Sequence, residues 1–221
     1  MDERPWAERV AAISALDEPV RRALYDYVSR SDAAVGRDAA AEALDLSRST
    51  AAFHLDRLAD EGLLTVEFQR LTGRTGPGSG RPAKLYRRAA DEVAVSLPAR
   101  LYRFAAELLL KAFEESTATG KPAQDSLRRV AAETGHRMGT SARSLRRALE
   151  QHGFEPRPDG AGGLVLGNCP FHRLAEQHTE IVCGLNLELL RGVAEGTGDR
   201  RHTMVLEPTD GRCCVRALRT K

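Results

Sequence analysis

The sequence lacks a long apolar run. No stretch approaches the roughly 18 consecutive apolar residues that a membrane-spanning helix needs. The first six residues, MDERPW, do not have the basic and then apolar pattern of a secretory signal peptide. These absences predict a cytoplasmic protein that has no membrane partner.

The chain also has little excess charge. Its 33 Lys and Arg residues against 31 Asp and Glu residues give a net charge of only +2. Overall charge therefore neither favours nor excludes a nucleic-acid partner, and local patterns must decide. A length of 221 residues and a hydrophobic content of 42% allow two compact domains with real cores.

The cysteine spacing C-x-x-C, which marks many zinc ribbons, is missing as well. All four cysteines nevertheless lie in the last quarter of the chain, at Cys169, Cys183, Cys213 and Cys214. Structural disulfides are uncommon in cytosolic proteins, so this clustering indicates metal or redox chemistry. The fold must bring the ligands of any such site together.

A helical pattern occupies residues 46–64, LSRSTAAFHLDRLADEGLL. Ser47 is a favourable N-cap, apolar residues recur at helical spacing, and Gly62 ends the pattern. The helix keeps a polar face, which consists of Arg48, Ser49, Thr50, His54 and Arg57. An Ala-rich helical run at 37–44 precedes it after a short turn, which predicts a helix-turn-helix. An ordinary helical hairpin with a solvated polar face is the alternative.

A wing is predicted after this helix. Residues 63–71 are rich in β-branched and aromatic side chains, residues 73–80 (GRTGPGSG) form a Gly-rich loop, and residues 84–87 can pair back as a second strand. Between Phe68 and Ala90 there are six basic residues and no acidic ones. Because phosphate contacts release counterions, we expect basic residues of the wing to contact DNA. The candidates are Arg74, Arg81 and Lys84.

Three segments together resemble a known family: DEPVRRAL at 17–24, the helix at 46–64, and GRPAKLY at 80–86. They resemble the ArsR-type winged-helix transcriptional regulators of bacteria over about the first 90 residues. The resemblance implies double-stranded operator DNA as a partner. It also implies contacts to base edges or phosphates by the start of the helix, namely by Arg48, Ser49, Thr50 and His54. Ser47 and Arg57 belong to the same predicted surface.

The remainder of the chain predicts a connecting helix and a small α+β domain. Residues 98–116 have a wide apolar stripe, which we interpret as the dimerisation helix of a homodimer because operators are usually two-fold. Packing against the protein's own second domain is the alternative. The predicted later helices are 124–138, 141–152 and 179–195, and the predicted strands are 153–157, 164–166, 202–207 and 213–218.

The predicted fold class is therefore α+β with three parts. They are a winged helix-turn-helix domain at 1–90, a connecting and dimerisation region at 91–121, and a cysteine-containing sensor domain at 122–221.

Each cysteine has a suggestive local setting. Cys169 lies in a Gly-Asn-Cys-Pro turn, in which Gly167 can leave the backbone close to a bulky ligand. Cys183 follows Thr179, a candidate N-cap, and the helix dipole there favours a thiolate. Neighbouring residues of a strand point to opposite faces, so Cys213 and Cys214 cannot both face one ligand unless the strand has a β-bulge. We expect Cys213 to face inward.

The run NCPFH at 168–172, Cys183, and GRC at 211–213 resemble the iron–sulfur branch of these regulators, typified by repressors of the suf operon. The resemblance implies that Cys169, Cys183 and Cys213 hold an iron–sulfur cluster whose loss changes DNA affinity. The possible additional ligands are Cys214, His172 and His178, a carboxylate, or a small molecule.

Three other interpretations stay open. The same cysteines and histidines contain a complete set for tetrahedral zinc, and the thiols alone can sense oxidants. The third interpretation is an enzyme with Cys169 as nucleophile and His172 or His178 as base. The sequence shows no further residue that would orient such a base, as a catalytic triad requires. We expect a regulator, with repression as the favoured mode, and not an enzyme.

Overall fold

The computed structural model describes residues 4–69, 82–209 and 211–220. The chain divides into two compact units, Met1–Val95 and Ser96–Lys221. Helices and short antiparallel strands occur in both units, which confirms the predicted α+β class. No helix within the described ranges is long and apolar enough to cross a membrane.

The described residues of the first unit form four helices and a three-stranded sheet. Its elements are α1 (Trp6–Ala15), α2 (Pro19–Ser29), β1 (Val35–Gly36), α3 (Arg37–Ala43), α4 (Arg48–Asp60), β2 (Leu64–Gln69) and β3 (Ala83–Arg88). The strands lie in the order β1-β3-β2 and are antiparallel. The helix-turn-helix and both wing strands are as predicted. Strand β1 was not predicted, because two residues are too few to show a period.

Helix α4 has the local structure that its sequence predicts. The Ser47 side chain accepts a hydrogen bond from the Thr50 backbone N–H at 3.0 Å and caps the helix. After the helix, Gly62 adopts a φ of +70°, a conformation in which glycine is favoured. Leu55 and Leu58 are fully buried, so one face of α4 packs into the core of this unit.

A charged network joins α3, α4 and β3. The Asp56 carboxylate accepts hydrogen bonds from Arg37 Nη2 (2.8 Å), Lys84 Nζ (2.5 Å) and Tyr86 OH (2.5 Å). Arg37 Nε also donates to Tyr86 OH at 2.9 Å. Burial raises the pKa of Asp56, but the three hydrogen bonds outweigh burial, and the net pKa is lowered. Burial and the bond to Asp56 raise the pKa of Tyr86 to about 12.

The second unit packs helices against a four-stranded antiparallel sheet of order β4-β5-β7-β6. Its helices are α5 (Tyr102–Thr119), α6 (Ala123–Thr140), α7 (Leu145–Gln151), α8 (His172–Gln177) and α9 (Thr179–Gly196). Its strands are β4 (Pro156–Pro158), β5 (Leu164–Leu166), β6 (His202–Leu206) and β7 (Val215–Arg219). Helix α5, predicted as part of a connecting region, lies within this unit.

Helices α6 and α9 make backbone-to-backbone contact. A Cβ atom at Gly135 would collide with the Leu189 carbonyl, and one at Gly192 would collide with the Ala132 carbonyl. Only glycine allows so close an approach. The contact fixes the position of α9, which carries one of the cysteines and a buried asparagine.

Several boundaries in the second unit differ from the sequence prediction, and one helix was not predicted. Helix α7 begins at Leu145 and not at residue 141, and β4 begins at Pro156 and not at residue 153. Helix α5 begins at Tyr102 and not at residue 98, because Asn168 holds the preceding segment by donating to the Ala99 carbonyl (3.0 Å) and accepting from Arg100 (2.6 Å). Helix α8 was not predicted. Strand β7 begins at Val215, so Cys213 and Cys214 precede the strand.

We expect Tyr86→Phe to lower the free energy of unfolding of the first unit by about 1–2 kcal/mol, because it removes a hydroxyl that is bonded to both Asp56 and Arg37. Trp6 is the only tryptophan, so its fluorescence during urea unfolding reports this unit. The control is Tyr25→Phe, which removes a hydroxyl outside the network. Equal losses in the two variants would contradict this account.

Candidate functional site

The exposed start of α4 carries a cluster of hydroxyl groups. Ser47 Oγ lies 2.8 Å from Ser49 Oγ and 2.8 Å from Thr50 Oγ1. Ser47, Arg48 and Ser49 are exposed, and Thr50 is partly exposed. These groups can donate hydrogen bonds to, or accept them from, phosphates and base edges.

Two arginines of this surface form ion pairs with neighbouring carboxylates. Arg48 Nε lies 2.6 Å from Asp38 Oδ1, and Arg57 Nη2 lies 2.5 Å from Glu61 Oε1. Both arginine side chains are more than half exposed, at 73% and 53%. Asp38 is also exposed, at 76%, and a surface pair of this kind is worth about 0–1 kcal/mol, so Arg48 can exchange its carboxylate for a DNA phosphate. Glu61 is only 14% exposed, so Arg57 has a more buried partner.

Two predicted DNA-contacting residues are held within the unit. His54 does not lie on the free side of α4: its Nδ1 is 3.6 Å from Glu18 Oε2 on α2, and only 14% of its side chain is exposed. Lys84 is bonded to Asp56, as described above. Helical spacing alone did not show that Glu18, the N-cap residue of α2, covers the side of α4 on which His54 lies. Arg74, Arg81 and the loop at 73–80 lie outside the described residues.

Sequence reasoning overlooked Phe53. This side chain is 65% exposed on α4. The sequence did contain a signal for it. Phe53 is a large apolar residue that lies outside the apolar stripe of the helix, on a face where a helix that only contacts solvent has polar side chains.

The second unit brings all four cysteines together from three segments. Cys169 precedes α8, Cys183 lies on α9, and Cys213 and Cys214 precede β7. The thiols interact in a chain in which Cys169 contacts Cys213, Cys213 contacts Cys214, and Cys214 contacts Cys183. Cys214 is partly exposed and the other three are buried.

Both neighbouring cysteines reach the cluster, contrary to the prediction from strand alternation. Cys213 faces inward as expected, and its backbone N–H donates to the Leu166 carbonyl at 3.1 Å. Cys214 also contacts the thiols of Cys213 and Cys183. The pair lies in a bend before β7, where the alternation of a regular strand does not apply.

The surroundings of the cluster hold the thiols in their neutral form. The interaction with Cys213 and burial raise the pKa of Cys169. Burial raises the pKa of Cys183, so the expected stabilisation of its thiolate by the helix dipole is not the dominant effect. The hydrogen bond with Cys169 lowers the pKa of Cys213, but the bond with Cys214 and burial outweigh it and raise that pKa to about 12.

Asn186 is a second residue that sequence reasoning missed. It is fully buried on α9, and its Nδ2 donates to Cys213 Sγ at 3.2 Å. Its Oδ1 has no hydrogen-bond partner among the described residues. In the sequence Asn186 is one polar residue in a helical pattern, and only the tertiary fold reveals its burial.

Other predicted members of this site are placed elsewhere. His172 and His178 are exposed, and His172 Nε2 lies 3.2 Å from Glu176 Oε1. The space beside Gly167 is filled by the Arg157 guanidinium, not left for a ligand. Thr179 is the first residue of α9 and not its cap; its hydroxyl donates to the Ala175 carbonyl at 2.6 Å.

In the described part of the chain, no group of three or more His, Cys, Asp or Glu side chains has the arrangement of a metal site. The donor chemistry still fits a metal centre. Four thiols that interact pairwise, three of them buried, form a sulfur-rich set of the kind that, once deprotonated, binds zinc or an iron–sulfur cluster. The unpartnered Asn186 Oδ1 adds a further buried donor atom beside that set.

We expect the metal-free second unit to lose stability above about pH 8.5, where the thiols of an unfolded chain ionise. The fold raises the pKa of Cys213 to about 12. Its contribution to the free energy of unfolding is therefore complete below the pKa of the unfolded thiol and declines as the pH rises toward 12. Denaturant unfolding followed by helical circular dichroism, with reductant and chelator present, measures this dependence.

Cys213→Ser is the matched variant for that measurement, because a serine hydroxyl does not titrate in this range. It should reduce the alkaline slope by about 1 kcal/mol per pH unit. An unchanged slope would show that the Cys213 thiol is not held neutral in the fold.

Comparison with known proteins identifies the first unit. Residues 16–67 match the family model of a helix-turn-helix domain, and the match includes α2, α3 and α4. Neither the curated proteins nor the solved structures contain a match to this chain. The protein therefore carries a helix-turn-helix domain, which indicates a DNA-binding transcriptional regulator.

Proposed function

We propose that this protein is a homodimeric transcriptional regulator, with repression as the favoured mode. Its affinity for operator DNA is controlled by an iron–sulfur cluster, or alternatively a zinc ion, held by the cysteines of the second unit. The observation that carries the proposal is the convergence of four thiols in one unit of a chain whose other unit is a helix-turn-helix domain.

On the DNA side, α4 supplies the contacts. Its exposed hydroxyl cluster and Arg48 lie at the helix start, the part of a recognition helix that usually meets base edges. Arg57 contacts phosphate from the later turns. The basic wing residues Arg74 and Arg81 contact phosphates or the minor groove.

On the sensor side, Cys169, Cys183 and Cys213 are the principal ligands. Cys214 is the favoured fourth ligand, because it contacts two of the other thiols whereas His172 and His178 are exposed. A bound cluster supplies positive charge and one-electron redox chemistry. Asn186 donates a hydrogen bond that stabilises the thiolate form of Cys213.

The state of the thiols biases an equilibrium between DNA-competent and DNA-incompetent dimers. A ligand shifts such an equilibrium only through its different affinity for the two states. Binding at the cysteines and binding at α4 must therefore affect each other by the same factor. Metal-free thiol oxidation within the same cluster is the second form of this mechanism.

We propose no enzymatic role for Cys169. A nucleophilic cysteine needs a lowered pKa and a nearby base. Here the pKa of Cys169 is raised, and His172 pairs with Glu176 at the surface.

The homodimer forms through α5. Leu109, Leu110 and Phe113 are 45%, 63% and 68% exposed and lie beside Ile181, which is 47% exposed. They line an apolar groove of about 680 Å³. A second copy of the chain is the expected occupant, because a two-fold operator requires two reader helices and an exposed apolar surface of this kind favours association.

We expect the two units to respond separately to substitution. Arg48→Ala should weaken binding of the operator duplex by about 5- to 30-fold and reduce its salt dependence, without changing metal content. Cys183→Ser should abolish metal retention and leave the affinity of the metal-free protein for the duplex unchanged. Fluorescence anisotropy and metal analysis measure both quantities, and a common response in the two variants contradicts the division of labour.

We expect Leu110→Glu to convert the dimer into a monomer, because it places a charge in the apolar groove without disturbing a buried side chain. Sedimentation equilibrium distinguishes the 24.1 kDa chain from its dimer. The control is Leu206→Glu, which changes a leucine that is 47% exposed on β6 of the same unit. A Leu110→Glu protein that stays dimeric rules out α5 as the interface.

A further inference from the structure

Phe53 has no structural role that explains its position. Its side chain is 65% exposed, and the only ring within stacking distance in the described residues is that of its neighbour His54, whose centroid lies 5.2 Å away, edge to face. The apolar core of this unit is formed instead by the opposite face of α4, including Ala51, Leu55 and Leu58. An exposed phenylalanine on a reader helix therefore requires an explanation outside the core.

The position of Phe53 along α4 places it in the reading surface. Residues four apart lie on the same face of an α-helix, so Ser49, Phe53 and Arg57 form one row. All three are exposed. The row begins in the first turn of α4, and the N-terminal part of a recognition helix is the part that enters the major groove.

The three side chains of this row differ in chemistry: Ser49 is polar, Phe53 is apolar and Arg57 is cationic. Ser49 can donate to or accept from a base, and Arg57 can contact a phosphate or guanine. The Phe53 ring has no group that forms a hydrogen bond as strong as those of Ser49 or Arg57. In the major groove one base alone presents an apolar group, the 5-methyl group of thymine, and phenylalanine is among the side chains that contact it.

We propose that Phe53 is a specificity-determining residue that selects thymine in each operator half-site by contact with the 5-methyl group. This inference rests on the proposed DNA-binding function and assigns part of its sequence preference. It adds an apolar contact to a surface that is otherwise polar.

The test uses a duplex enriched by the wild-type protein from a random-sequence pool. Each thymine is replaced in turn by deoxyuridine, which keeps base pairing and lacks only the methyl group. Burial of one methyl group is worth about 0.8 kcal/mol, so its loss corresponds to about a fourfold increase in Kd. We expect the Kd of the wild-type protein to rise about fourfold when deoxyuridine replaces thymine at one position in each half-site.

The variant Phe53→Ala should bind the thymine and deoxyuridine duplexes with equal Kd at that position, and Phe53→Leu should keep part of the difference. The matched control is Phe68→Ala. Phe68 is 66% exposed on β2 of the same unit but does not lie on α4. This control should retain the full fourfold effect. Trp6 fluorescence during unfolding establishes that each variant is folded.

The outcomes separate the two proposals. If the wild-type protein binds no duplex in a salt-dependent manner, both the proposed function and this inference fail. If it binds but deoxyuridine has no effect at any position, or Phe53→Ala remains as sensitive as wild type, only the role of Phe53 is overturned. The latter results would leave a protein partner as the occupant of this exposed ring.

Discussion

Burial of three of four interacting thiols is the constraint on which the chemistry of the second unit depends. A thiolate in an apolar core is costly unless a cation or hydrogen-bond donors compensate its charge. The fold supplies one such donor to Cys213, the amide of Asn186, and otherwise raises the pKa of the buried thiols. Metal binding there must release protons, so occupancy depends on pH and is coupled to the stability of the unit.

The first unit uses its charges in a different way. Asp56 accepts hydrogen bonds from Arg37 and Lys84 and fixes β3 against α4, so Lys84, one of the basic residues of the wing, serves the fold. Arg48 forms an exposed pair with Asp38 that costs little to break, and the Arg57 side chain is more than half exposed. The two classes of basic residue are indistinguishable in composition. Only their contacts separate a charge that stabilises the domain from one that is available to DNA.

Local patterns were sufficient to predict α4, the wing strands and the α+β class, because the spacing of apolar residues within a short segment distinguishes a helix from a strand. They did not predict that α2 covers His54 while Phe53 stays exposed, since that depends on contacts between helices. Clustering along the chain indicated a cysteine site. The participation of Cys214 was underestimated because a regular strand was assumed where the chain bends.

The most direct test of the central claim is a comparison of operator affinity in two states of the same protein. The protein is purified under anaerobic conditions, its iron, sulfide and zinc are counted, and the Kd for the operator duplex is measured before and after chelation. We expect a bound centre that Cys183→Ser removes, and a Kd that changes by about 5- to 150-fold on its loss, the usual range of coupling between sites. A protein that binds the duplex with the same Kd in both states would contradict control by the thiol cluster.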